Sequence, residues 1–250
     1  MKREISFLII VPTYNSYNDL QRLCDSLLKQ TYQNWRTIFV DAESSIHHKK
    51  WLNSIAKKDK RFLVKDELKN SKGIYPSMSF GFTFAKKDDW VIFLGSDDWF
   101  NFNGSLETIA DKINFSKYKI STNIVIYQSQ YLNKNKNKLI RLNKVPRLKS
   151  ADNLIFSKLV FYGYVPPHQS VCFSMKILKK IMPYSKNYFL AADCDLFMKF
   201  TKITDLRILF IKKTLVNIQS GGISSILLFR RLKEVFIIYI RHFKAFLDLI

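Results

Sequence analysis

The sequence has few cysteines, few acids and no long apolar run, and each shortage removes a class of protein. Three cysteines, Cys24, Cys172 and Cys194, lie far apart with no CxxC spacing. That pattern disfavours a disulfide framework or a structural zinc site and suits a reducing cytosol. After Met1-Lys2-Arg3-Glu4, the apolar run from Ile5 to Val11 spans only seven residues. It is too short and wrongly flanked for a signal peptide or a spanning helix, so no export is expected. No internal repeat and no Gly/Ser linker divides the chain. Acids number 20 against 41 Lys+Arg, which leaves a formal net charge of +21.

What is present is a foldable, unevenly charged chain. At 250 residues and 47% hydrophobic content it can bury a full core, as one domain or two tightly fused lobes. Residues 1–100 carry 16 Lys+Arg against 12 Asp+Glu, whereas residues 101–250 carry 25 against 8. A basic second half attracts polyanions: nucleic acid, anionic headgroups and phosphorylated substrates all qualify.

The first hundred residues alternate strands with helices, the pattern of βαβ units around a mostly parallel sheet. Strands are predicted at Ile5–Val11, Trp35–Val40, Arg61–Val64 and Trp90–Leu94. A helix over Asn18–Gln30 aligns Leu20, Leu23, Leu27 and Leu28, with Asn15, Ser16 or Asn18 as its cap. A second helix is predicted over Lys72–Lys87 with Pro76 in its first turn. Beyond Phe100 the pattern predicts a hairpin from Asn123–Leu132 and Lys138–Leu142, strands at His168–Ser174 and Ile208–Ile218, and a helix over Asp193–Thr201.

The tail over residues 224–250 is the strongest periodic segment. Phe229, Leu232, Phe236, Tyr239, Phe243, Phe246 and Ile250 follow at three- and four-residue steps, with Arg230, Arg231, Lys233, Glu234, Arg241, His242, Lys244 and Asp248 on roughly the opposite half. Its longest unbroken apolar run, Val235–Ile240, is far short of a bilayer span. A helix lying in the membrane interface is expected, with docking on the domain or on a second copy as the alternative.

Ligands of open α/β sheets bind beyond the carboxyl ends of the strands. Three strand ends carry suitable side chains: Pro12-Thr13-Tyr14-Asn15, Asp41-Ala42-Glu43-Ser44-Ser45 and Gly95-Ser96-Asp97-Asp98. Adjacent Asp97 and Asp98 repel unless a cation or strong donors intervene, and their hard oxygens suit Mg²⁺ or Mn²⁺. Asp41 can accept hydrogen bonds from a base or ribose, or simply close a turn. Asp193 can serve as a general base or cap a helix, with Asp195 the better cap if Asp193 faces the cleft. His168 and Gln169 are further polar candidates.

In order along the chain, VPTYN (11–15), VDAESS (40–45), KGIYPSM (72–78), FLGSDD (93–98), PHQSVCF (167–173), AADCDLF (191–197) and GGIS (221–224) resemble the family 2 glycosyltransferases of the GT-A fold, especially bacterial enzymes of surface-polysaccharide synthesis. The resemblance implies a nucleotide-sugar-binding half at 1–100, an acceptor-binding half at 101–222 and an amphipathic tail at 223–250. It implies that Pro12, Thr13, Tyr14, Asp41, Ser96 and Asp97 surround a nucleotide-diphosphate sugar, with Asp41 near the base, commonly uracil. Asp97 and Asp98 look like the motif that holds Mn²⁺ or Mg²⁺, and Asp193 matches the base of an inverting transfer; His168 and Gln169 stay candidates for the acceptor or cleft, with a structural His168 as the alternative. The implied acceptor is a polyprenyl-diphosphate-linked saccharide on the cytoplasmic face of the membrane, reached through residues 224–250.

The chain departs from the family pattern at several positions. Ser71, Pro76 and Ser79 stand where the family often has two acids and an Asn. Gly95 replaces a common Asn or Asp beside the metal motif, and Ala192 a common Glu before the base. A nucleotidyltransferase that forms sugar nucleotides would need a Gly-rich loop after the first strand, where Pro12-Thr13-Tyr14-Asn15 stands instead. A non-enzymatic nucleic-acid binder is the other reading of the basic charge, but it gives acids at strand ends no role. No nucleic-acid partner is therefore expected.

Overall fold

In the computed structural model, which describes residues 4–68, 73–117, 121–134, 137–222 and 226–247, the first four strands are parallel. They are β1 (Ser6–Thr13), β2 (Trp35–Asp41), β3 (Phe62–Asp66) and β4 (Asp89–Phe93), ordered β3-β2-β1-β4. Within β1, Phe7–Val11 is apolar without interruption because both its faces are covered. Phe7, Ile9 and Val11 enter one core layer, and Leu8 and Ile10 the other.

Helices α1 (Tyr17–Leu28), α2 (Ile46–Lys58) and, further along, α4 (Ser105–Phe115) cover the first face through Leu20, Leu23, Leu27, Leu52, Leu106 and Ile109. Leu28, aligned with that face in the sequence, is exposed instead. Helix α3 (Ile74–Phe82) covers the opposite face through Tyr75 and Met78. It can approach because Gly81 is bare: a Cβ there would stand 2.5 Å from Ile10 Cγ2 and 3.2 Å from Val40 Cγ2. Pro76 lies in its first turn, as its missing N–H requires. The helix is shorter than predicted. After Phe82 the chain tightens into i→i+3 turns, and the Lys86 N–H donates to Asp89 Oδ2 at 2.5 Å.

The sheet continues without a break into the second half. In the ten-stranded order β3-β2-β1-β4-β9-β6-β10-β5, antiparallel β9 (Val171–Ser174) joins β4 to β6 (Ile124–Leu132), and β10 (Arg207–Gln219) runs parallel to β6. The short β5 (Trp99–Phe100) and β8 (Ser150–Asp152) pair with β10, and β7 (Leu139–Asn143) forms the expected hairpin with β6. Helices α5 (Asn153–Phe161), α6 (Met175–Leu178) and α7 (Ala192–Phe200) pack on the same face as α3. The predicted strand at His168–Ser174 begins only at Val171. His168–Ser170 form a 3₁₀ turn closed by the Ser170 N–H donating to the Pro167 carbonyl at 2.8 Å.

The C-terminal helix, α8 (Leu228–Leu247), docks on this layer, and its predicted stripe divides. Tyr239 donates to the Val160 carbonyl at 2.8 Å, and Phe243 packs edge-on against Phe161 at 5.3 Å. Phe229, Leu232 and Phe236 stay exposed. Glu234 and His242, placed by the pattern on the outer polar half, face the domain because acceptor and donor groups there engage them. Ile223, Ser224 and Ile250 lie outside the described residues, as do the side chain of Phe246 and residue Lys72. Among the described residues no helix is long and apolar enough to cross a membrane.

Candidate functional site

Parallel alignment of β1, β2 and β4 brings their carboxyl ends to one edge of the sheet. At the end of β2, Asp41 is fully buried and satisfied by the chain itself. Its Oδ1 accepts from the Thr13 hydroxyl at 3.1 Å and the Ser44 hydroxyl at 2.6 Å, and its Oδ2 from the Ser44 N–H at 3.1 Å. His48 Nε2 lies 3.2 Å from the same carboxylate. Burial lowers the His48 pKa, against the opposing pull of Asp41. The Asn15 N–H donates to Ser44 Oγ, and Asn15 Oδ1 accepts from the Ser45 N–H, so the loops after β1 and β2 are tied together. Asn15 thus links two loops, while the N-cap of α1 is Ser16, whose side chain makes no capping bond. Pro12 is half-buried beside this knot, and Tyr14 projects into solvent, 67% exposed.

At the end of β4, Asp98 turns inward. Its Oδ2 accepts from the Gly95 N–H at 2.7 Å and its Oδ1 from the Gln219 N–H at 3.3 Å, which fastens this loop to the end of β10. Burial first, and then the charge of Asp97, push its carboxyl up to about 8. The half-buried Asp97 is also raised, by burial and by Asp19, with Lys134 opposing. The bare Gly95 lets both acids fold over it: a Cβ there would stand 2.8 Å from Asp97 Oδ1 and 2.9 Å from Asp98 Oδ2. Two carboxylate oxygens over one backbone position, one of them costly to ionise, fit a divalent cation. Among the described residues no third His, Cys, Asp or Glu joins them. The remaining positions around an ion would therefore fall to phosphate or water oxygens, the usual mode for Mg²⁺. Ser96, half-buried, forms the lip of this loop.

Asp193 lies in the first turn of α7, three-quarters buried. It is neither an N-cap nor free. Oδ1 accepts from the Tyr75 hydroxyl at 3.0 Å and the Cys194 N–H at 2.8 Å, and Oδ2 stands 3.4 Å from His168 Nδ1. Burial favours the protonated acid, but the His168, Tyr75 and Cys194 contacts outweigh it and hold the carboxyl below its usual range. Tyr75 packs at a tilt 5.0 Å from Tyr184, and the His168 ring packs 6.4 Å from Phe93, so aromatic rings wall the carboxylate. Asp195, two residues on, points away to His242 at 3.1 Å and Lys199 at 2.7 Å, so it is not the cap either.

The turn at His168–Ser170 joins the two acid centres. His168 reaches Asp193, while the side chain of Gln169 hydrogen-bonds Asp98. Carboxylates almost a hundred residues apart are thus bridged by two consecutive side chains. Tyr75 lies inside the quoted KGIYPSM segment, but its role could be seen only once α3 was placed. Glu234 carried no recognisable signal, since its spacing matches an exposed helix face.

The sequence profile of the glycosyl transferase family 2 matches residues 8–173, from β1 through β9. The chain belongs to that family. Its fold is the GT-A fold. A glycosyltransferase family member in this sense, the chain superposes on S. aureus TarS 1–349 with a TM-score of 0.68 at 19% identity, over 94% of this chain and 66% of that one. The TarS 1–349 complex with UDP-GlcNAc gives 0.67 at 19%, over 87% and 59%. The mannosyltransferase PcManGT from Pyrobaculum calidifontis, in complex with GDP-Man and Mn²⁺, gives 0.65 at 13%, over 98% and 65%. The family 2 chain thus spans about 60% of the TarS 1–349 fragment. No curated protein sequence matches it.

Proposed function

We propose that this chain is an inverting glycosyltransferase that moves a sugar from a nucleotide-diphosphate donor, in the first instance a UDP-sugar, to a hydroxyl of a lipid-linked saccharide. The observation that carries the reading is the His168–Gln169 bridge, which unites a paired-acid centre with a single carboxylate kept ionised. UDP in complexes of TarS favours uridine among the nucleotides.

In this reading Asp97 and Asp98 would hold Mn²⁺ or Mg²⁺, which would supply Lewis-acid stabilisation of the departing diphosphate. Asp41, Thr13, Pro12 and Tyr14 frame the nucleotide end, and Ser96 borders the phosphates. The buried Asp41 carboxylate sets the loop shape, and its hydrogen bonds to Thr13 and Ser44 must rearrange if it is to meet a base directly. Asp193 Oδ2 accepts the proton of the acceptor hydroxyl. The freed oxygen attacks the anomeric carbon from the face opposite the diphosphate, one carbon–oxygen bond forms as another breaks, and configuration inverts. A depressed carboxyl pKa keeps Asp193 ready to accept that proton at neutral pH.

The outer face of α8 supports a peripheral membrane location on the cytoplasmic side. Phe229, Leu232, Phe236 and Ile240 are exposed there beside Arg230, Lys233 and Arg241, whereas the helix's described acid, Glu234, is turned inward. Such a face suits an anionic lipid surface. It would hold the enzyme where a polyprenyl-diphosphate acceptor resides. Buried, unpaired Cys24, Cys172 and Cys194 are compatible with a reducing compartment.

A thermal-shift panel of UDP, GDP and CDP with and without Mn²⁺ tests the donor assignment. A rise in melting temperature that needs both nucleotide and metal is expected; no shift with any pair would refute it.

A further inference from the structure

We infer that Glu234, on the C-terminal helix, is the positioning residue of the catalytic base. The inference rests on the assignment of Asp193 as that base. Glu234 is 9% exposed, and its Oε2 accepts from two consecutive backbone N–H groups, Leu190 at 2.8 Å and Ala191 at 3.0 Å. Those N–H groups precede α7 and have no helical partner, so a carboxylate beside them acts as a cap supplied from a distant helix. The opposite side of the same peptide segment is held as well. The Leu190 carbonyl lies 3.1 Å from the Tyr75 hydroxyl, which shares its one proton between that carbonyl and Asp193 Oδ1 at 3.0 Å. Leu190 is thereby gripped at its N–H by α8 and at its carbonyl by α3, three residues before the base.

Among the described residues nothing else replaces this grip. Ala191 is the N-cap of α7 and has no side chain able to cap. Ala192, where the family often has Glu, is fully buried and offers no polar group. Arg230, one turn before Glu234, lies 3.4 Å from its other oxygen and stacks 4.8 Å over Phe189, which orients the carboxylate toward the loop. Removing Glu234 would leave two buried N–H groups without an acceptor and release the start of α7. The Asp193 carboxylate would then drift from the line of attack, and misplacement by about 1 Å can cost about 100-fold in rate.

The test uses the full chain, with UDP-GlcNAc, UDP-glucose and UDP-galactose as probe donors in Mn²⁺, release of UDP as the signal and water as acceptor. Turnover is normalised to donor-binding sites counted by calorimetry. Glu234→Ala is expected to lower kcat per site about 10- to 100-fold with donor KM changed less than about 3-fold, and Glu234→Gln, which keeps an acceptor oxygen, to restore most of it. Tyr239→Phe, which removes a different anchor of the same helix, the bond to Val160, should leave kcat per site unchanged. If Glu234→Ala yields no soluble protein, Glu234→Asp, whose carboxylate is drawn back by one methylene, should show the same loss per site. Unchanged kcat per site in Glu234→Ala or Glu234→Asp, or an equal loss in Tyr239→Phe, would overturn the positioning role. Turnover retained in Asp193→Asn would instead sink the base assignment itself, so the two failures are distinct.

Discussion

Replacing Tyr75 with Phe should move the acid limb of the transfer reaction without disturbing donor binding. The hydroxyl lies 3.0 Å from Asp193 Oδ1, while the ring stays packed 5.0 Å from Tyr184 and 6.5 Å from His168, so the substitution removes a hydrogen bond and leaves no cavity. A hydrogen bond to an ionised carboxylate is worth about 1.5–3 kcal/mol. The one hydroxyl proton is shared with the Leu190 carbonyl, so part of that stabilisation is lost on substitution and the Asp193 carboxyl pKa rises. The proposed base works only when ionised. Its folded pKa lies below the usual carboxylate value, so wild-type activity persists to low pH and is lost only as pH falls through that depressed value. In Tyr75→Phe the loss should set in at a higher pH than in the wild type. Initial rates of UDP release between pH 4.5 and 8 measure this, with donor affinity determined in parallel. A limb that does not move would refute the claim that Tyr75 tunes Asp193. A fall at every pH would mean the hydroxyl acts otherwise.

Further outcomes follow from the same geometry. Asp193→Asn should abolish transfer and leave donor binding within about 2-fold of wild type, as read by calorimetry, because only the proton acceptor is lost. Asp98 titrates in the opposite sense: its folded pKa is raised to about 8, so metal-free protein should lose stability as pH rises from about 4 toward about 8. Mn²⁺ should reverse that loss most strongly at the upper end, and thermal melts across the range would reveal it. On α8 the two faces should separate: Ile238→Ala, at a fully buried site, should cost about 2–5 kcal/mol of stability. Phe236→Ser, on the exposed face, should leave the melting temperature unchanged and reduce sedimentation with anionic vesicles.

The parallel half of the fold was legible because its strands carry their own punctuation. Largely apolar runs closing on Pro12, Asp41 and Gly95 marked both strand and edge. Helix α2 was not legible, since His47, His48, Lys49 and Lys50 hide its single buried Leu52 behind a polar start. Helix α5 was hidden for the opposite reason: Leu154 and Phe161 are exposed, so its apolar residues do not trace one face. The acid candidates could be read as strand-end and helix-start residues. Their mutual arrangement could not, because it depends on a three-residue turn after two prolines, where His168 and Gln169 diverge toward different acids. The tail misled in an instructive way. Its apolar stripe suggested one continuous contact, whereas specific bonds from Glu234, Tyr239 and His242 rotate the helix so that half of the stripe faces outward.

The most direct measurement is a crystal structure of the protein with a UDP-sugar and Mn²⁺, using anomalous scattering to locate the ion. Anomalous density bridging Asp97 or Asp98 to the diphosphate, with the sugar's anomeric carbon facing Asp193, is the predicted result. Manganese bound elsewhere, or a donor whose anomeric carbon points away from Asp193, would contradict it.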